Sequence, residues 1–212
     1  MELKITLRDI MVYFVTGVTF LVFFLLVHFW GKFCDLKHFA YQLSENNVLL
    51  LISVAGVYII GHVIQSIDAA RLLFVKKILK PIVAKTQWRA AKFILRCLTG
   101  DRIEGVLPST QPSGEFWRKA FYLQVKGKHS HSEYWYVTKD LLNGMETAAT
   151  LLLLYSLHNG NYPFVVVFTV MTILFWIKSR HVSTEYIDSV NETYTIIEQE
   201  KNSAALEAPP TK

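Results

Sequence analysis

The chain has few of the groups on which most chemistry depends. Only Cys34 and Cys97 are present, too few for a disulfide framework, and the topology derived below puts them on opposite sides of a bilayer, which excludes pairing within one chain. There is no phosphate-cradling Walker loop, no G-x-G-x-x-G, no H-E-x-x-H, no G-x-S-x-G and no paired-cysteine metal box. No enzymatic activity and no cofactor are therefore expected. Basic residues are missing from two stretches as well: the Asn159, Gly160, Asn161 turn has none, and neither Lys nor Arg occurs from Val182 to Glu200.

Apolar sequence is abundant. With 52% hydrophobic residues and a mean hydropathy of +0.29 over 212 residues, the chain carries more apolar surface than one soluble domain buries, and it comes in blocks. Four blocks approach the roughly 20 residues that a spanning helix needs: Ile10 to Trp30, Val48 to Ile67, Leu141 to His158 and Tyr162 to Ile177. The first is longer than a signal-peptide core and no small-residue cleavage site follows it, so it is expected to remain as a helix. Only the Asn-Gly-Asn turn separates the last two, and Pro163 opens the fourth, where its missing N–H costs nothing. The expected fold is thus all-α: an N-terminal transmembrane pair (1–67), a basic cytoplasmic region (68–140), a transmembrane hairpin (141–177), and an acidic helix with a tail (178–212).

Orientation follows from the Lys and Arg positions. Of 22, fourteen lie in the 68–140 region, four beyond the fourth span, two before the first (Lys4, Arg8) and two between the first and second (Lys32, Lys37). The positive-inside rule then places both termini and the long loop in the cytoplasm, across a cell inner membrane. The Asn191-Glu192-Thr193 sequon falls on that side and should stay unmodified.

Within the basic region, residues from Asp68 to Leu79 predict an amphipathic helix that Pro81 kinks or ends. From Lys85 to Leu98, the basic Lys85, Arg89, Lys92 and Arg96 repeat on one helical face, and Trp88, Ala91, Leu95 and Leu98 on another. Such a helix suits anionic headgroups, with Trp88 at the interface. Nucleic acid, or the chain's own acidic segment, would fit the basic face too, although no RNA-binding motif accompanies it. Thr99 to Gly114 reads as a loop. Glu115 to Val125 reads as helix in preference to hairpin, because Trp117, Phe121 and Val125 stand at helical spacing. His129 and His131 lack the further ligands a metal needs. Val182, Tyr186, Val190, Tyr194 and Ile197 recur about every fourth residue beside five acidic residues, which predicts an amphipathic acidic helix, and Asn202 to Lys212 should be disordered.

The polar groups inside the apolar blocks are then the candidate site. Tyr58, His62, Gln65 and Ser66 lie on the second span, and Asn143, Glu146, Thr147 and Thr150 on the third. His62 and Glu146 each fall about 8 Å from the cytoplasmic end of their span at 1.5 Å per residue, so they can meet. The commoner role for such a seam is interhelical hydrogen bonding, with Gly61 allowing close approach. The functional alternative is a titratable gate or a polar lining completed when subunits assemble.

The Tyr-x-x-Gly-His-x-x-Gln pattern of Tyr58, Gly61, His62 and Gln65, followed by a long basic region and a two-helix hairpin, resembles small multi-span bacterial membrane proteins that accompany phage-defence systems, including retron-associated transmembrane effectors. That resemblance implies an abortive-infection effector that perturbs the inner membrane when triggered. It transfers no catalytic residue. The alternative class is a non-conducting membrane protein that recruits a cytoplasmic partner; anionic lipid, a second copy and a cytoplasmic regulator are the expected partners.

Overall fold

A computed structural model describes residues 9–84, 113–128 and 130–207. The proposed lipid-binding residues Lys85, Trp88, Arg89, Lys92 and Arg96 lie outside the described residues, as do most of the expected 99–114 loop and His129. All regular structure among the described residues is helical. A π-helical turn, Asp9–Phe14, leads into α1, Val15–His28. Next come α2, Phe33–Glu45, and α3, Asn47–Phe74. A second π turn, Val75–Leu79, then joins α4, Lys80–Ala84. After these are α5, Gly114–Val125, α6, Ser130–His158, and α7, Tyr162–Glu207.

Local chemistry sets several of these boundaries. Asn46 Oδ1 accepts from the Val48 and Leu49 amides at 3.1 Å each and caps α3, and Ser113 Oγ accepts from the Phe116 amide at 3.2 Å and caps α5. Helices α5 and α6 both end on a left-handed glycine, Gly127 (φ 66°) and Gly160 (φ 68°). Behind each, paired backbone bonds close the turn: Lys128 to Leu123 and Gly127 to Gln124, then Asn161 to Ser156 and Gly160 to Leu157. This is the pattern in which glycine tolerates the conformation that frees the last carbonyls for new donors.

Helix α6 is the centre of the arrangement. It packs along α7 over most of its length and touches α1 and α3 on its other sides. Toward the Asn-Gly end, Val27, Leu152 and Phe168 form a buried cluster surrounded by Phe20, Phe23, Phe24, Tyr155 and Phe164. At the other end, Phe116, Ala120 and Leu123 of α5 pack on Tyr186 and Val190 of α7, with Trp135 and Tyr136 of α6 alongside. The expected hairpin of two helices is present, and so is the helix over 115–125.

Among the described residues two helices, Asn47–Arg71 and Tyr162–Ser203, are long and apolar enough to cross a membrane, while Val12–His28 is a shorter apolar helix. The third expected span lies in α6, whose apolar stretch is diluted by Asn143, Glu146, Thr147 and Thr150. It is also the most enclosed helix, with Gly144, Glu146, Thr147, Ala148, Ala149 and Leu152 all buried.

Four expectations change. The segment between the first two apolar blocks, for which no element was expected, forms α2; Phe33, Leu36, Ala40 and Leu43 stand at helical spacing along it. Of the two outcomes expected at Pro81, a kink or an end, the end does not occur: a π turn lies just before it, Lys80 donates to Val75, five residues back, and the helix continues to Ala84. The acidic segment is no separate helix but the continuation of α7. Its 46 residues extend about 69 Å at 1.5 Å per residue, over twice a hydrocarbon core of about 30 Å. The expected disordered tail is helical as far as Glu207.

Candidate functional site

The site begins where α1 and α3 cross. A side chain at Gly17 would collide with the Val57 carbonyl and one at Gly61 with the Tyr13 carbonyl, so these two glycines let the backbones touch. Gly144 does the same for α6: a Cβ there would meet the Gln65 amide and the Thr16 hydroxyl. Three helices thus converge within one turn of one another, and Gln65 of the second span is directed into the junction.

His62 stacks face to face on Tyr13, with ring centroids 3.7 Å apart and planes at 16°. Tyr58 closes the group edge-on, 4.6 Å from the His62 ring and 6.0 Å from Tyr13. One turn on, Gln65 Nε2 donates to the Asp140 carbonyl of α6 at 3.0 Å. Below it is an ionic cluster. Arg71 donates from one guanidinium nitrogen to Asp68 and from the other to Glu146, at 2.8 Å each. The two carboxylate side chains are only 8% exposed and the Arg71 side chain 32%. Thr147 Oγ1 adds a bond to Asp68 at 3.1 Å. Lys139 and Arg180 lie close enough to supply further positive potential. Arg180 itself is buried and covers the Trp176 ring at 4.9 Å.

Electrostatically, two acids share one Arg in an apolar setting. A guanidinium fork can satisfy both at once, which a lysine could not do with the same geometry. The arrangement cross-links α3 to α6 and keeps its charge off the surrounding apolar faces. No group of three or more His, Cys, Asp or Glu that could hold a metal occurs among the described residues.

The expected meeting of His62 with Glu146 does not occur. Tyr13, from the π turn ahead of α1, takes the imidazole face, and Arg71 takes the carboxylate. The expected seam also divides. Ser66 is exposed and donates to the His62 carbonyl of its own helix at 2.9 Å, as Thr150 does to Glu146 at 2.8 Å. Asn143 faces α7, where it accepts from the Ser179 hydroxyl. Only Gln65, Glu146 and Thr147 of the named residues bridge α3 and α6.

Sequence reasoning passed over Asp68 and Arg71, which were assigned to the cytoplasmic region because they are charged. The signal was present: Gly61, Gln65, Asp68 and Arg71 follow helical spacing along one face. Tyr13, Thr16 and Ser179 carried no comparable signal. Comparison with protein-family models, curated proteins and solved structures finds no match to this chain. Among the described residues the chain is all-α, with two helices long and apolar enough to cross a membrane.

Proposed function

We propose that the chain is an inner-membrane protein of four spans with both termini in the cytoplasm, and that it acts as a triggered membrane-perturbing effector. The spans are residues 10–30 with α1, residues 47–71 of α3, residues 141–158 of α6 and 162–177 of α7. The observation that carries the reading is the Asp68, Arg71, Glu146 cluster. Ionisable groups within a membrane bundle are costly and mark functional elements by default, and this cluster latches two helices that would otherwise expose charge. Opening the latch creates a polar path beside α6. The setting in phage defence rests on the resemblance of the second span and the layout alone.

A second reading is favoured by the α5 and α7 packing. A helical module on the cytoplasmic side, continuous with two spans, suits a non-conducting anchor that recruits a partner. A membrane-potential dye separates the two. Under tightly controlled expression, Arg71→Gln should depolarise cells sooner than the wild type at equal membrane abundance, since it opens the latch without the trigger. No depolarisation by either protein, both present in the membrane, would reject the effector reading and favour the anchor.

A further inference from the structure

Helix α2 joins α1 to α3, and short connections set its two ends. Asn46 alone separates it from α3; the backbone there is extended (φ −114°, ψ 98°) while the side chain caps the next helix. At the other end the Lys32 amide donates to the Phe29 carbonyl at 2.8 Å, a turn that keeps the Cα atoms of these two residues within about 7 Å. The two helices it joins also end at one level. Gly17 lies against the Val57 carbonyl and Gly61 against the Tyr13 carbonyl, an antiparallel register. In it His28, eleven residues beyond Gly17, comes level with Asn46, eleven residues before Val57.

That geometry decides how α2 lies. Its 13 residues extend about 20 Å at 1.5 Å per residue. Standing along the membrane normal, either outward or back into the hydrocarbon, it would carry one end about 20 Å from the level where it must begin and finish, farther than the Phe29–Lys32 turn reaches. It therefore runs across the end of the α1 and α3 pair, and the Phe39 ring comes back to 6.2 Å from the Phe29 ring. Around its axis, Leu36, Phe39, Ala40 and Leu43 occupy one arc, and Cys34, His38 and Glu45 the opposite one. The first arc is only partly covered: Phe39 is 38% exposed, Ala40 is exposed, and Leu36 and Leu43 are half-buried.

We infer that α2 is an interfacial helix, seated in the headgroup layer opposite the long basic region, with Leu36, Phe39, Ala40 and Leu43 against lipid. The inference rests on the four-span reading, of which it needs α1 and α3. Position identifies the occupant. Exposed Leu26 and Trp30 precede α2, and exposed Val48, Leu50 and Leu51 follow it at once, so the boundary between lipid and water passes at its own level. Trp30 is of the residue type that collects there. An amphipathic helix in that layer buries its apolar face about 5–10 Å into the boundary between headgroups and acyl chains. Charge does not select the lipid: Lys32 and Lys37 are offset by Asp35 and Glu45. The seat therefore takes zwitterionic headgroups as readily as anionic ones, unlike the basic face expected on the cytoplasmic side.

The test uses the full chain in phosphatidylcholine vesicles, with Cys97→Ser throughout and one spin label per protein. Labels go on Cys34 itself and, with Cys34→Ser added, on Leu36→Cys, His38→Cys, Phe39→Cys, Leu43→Cys or Glu45→Cys. Collision with oxygen, which concentrates in lipid, is compared with collision with a water-soluble nickel chelate. The oxygen-to-nickel ratio should be several-fold higher at 36, 39 and 43 than at 34, 38 and 45, and added anionic lipid should leave that contrast unchanged. Uniformly high nickel accessibility along α2 would overturn the proposal, as would a contrast that arises only with anionic lipid. So would low accessibility to both probes at 36, 39 and 43 with spin–spin broadening, which would put a second copy on this face. Labels on Val22→Cys of α1 and Ile59→Cys of α3, both exposed in mid-span, test the spans separately. Lipid-like values there with a water-like α2 would reject the seat alone; water-like values there would reject the four-span reading and the seat with it.

Discussion

Arg71 on α3 and Glu146 on α6, 75 residues apart in the chain, are joined by a hydrogen-bonded ion pair of 2.8 Å, and Asp68 shares the same guanidinium. Removing one member of a fully buried pair typically costs about 3–5 kcal/mol, because the other is stranded in low dielectric. Arg71 is a third exposed, so Arg71→Met should cost less, about 2–3 kcal/mol once solvent screening is allowed for. Glu146→Gln should cost only about 1 kcal/mol, since Asp68 retains the Arg. Thermal unfolding of detergent-solubilised protein followed by Trp fluorescence measures both. The double variant should fall short of additivity by about 1 kcal/mol; strict additivity would mean that the pair is not coupled.

A second expectation concerns the helix crossing. At Gly61 a Cβ would strike the Tyr13 carbonyl, while at Gly56, five residues earlier on the same helix, there is open space. Gly61→Ala should therefore force α1 away from α3 and cost about 1–3 kcal/mol. Gly56→Ala should be neutral or stabilise by up to about 1 kcal/mol through helix propensity. Immunoblots of membrane fractions and melting temperatures compare the two. Equal behaviour of both variants would remove the close approach from the account.

How far the sequence revealed all this depended on what each residue's neighbours were. Periodicity within one helix was legible: the stripe from Val182 to Ile197 is buried or half-buried on α5 and α6 as its spacing implied. Partners across helices were not. His62 and Glu146 were matched by depth alone, and depth carries no azimuth; Tyr13 came to His62 because Gly61 brings the N-terminal turn within contact, a consequence of crossing geometry. Asp68 and Arg71 were misplaced because charge was equated with the aqueous side, although a pair that neutralises itself can stay with the bundle. Helix α2 was missed in a segment whose Lys32 and Lys37 were used only for orientation.

Topology is open to direct measurement. A reporter active only outside the cytoplasm should be silent when fused after residue 212 or inserted within 100–114, and active at Asn46 or Asn159. Activity at 159 with silence at 46 would leave α6 and α7 as the only hairpin and α1 and α3 on one side. The reverse pattern at any two sites would overturn the orientation.

The last expectation separates two uses of His62. Its ring lies flat on Tyr13 and edge-on to Tyr58, and the geometry requires a planar ring more than a proton carrier. Aromatic pairs of this type contribute about 0.5–1.5 kcal/mol beyond burial. His62→Phe should therefore keep membrane abundance and melting temperature close to the wild type, and His62→Ala should lower the stability by about 1–2 kcal/mol, the lost stacking plus a partly filled cavity. If the effector reading holds, His62→Phe should also depolarise like the wild type. Normal abundance with complete loss of depolarisation in His62→Phe would show that the imidazole nitrogens matter for activity, and would return His62 to the gate from which the stacking removes it.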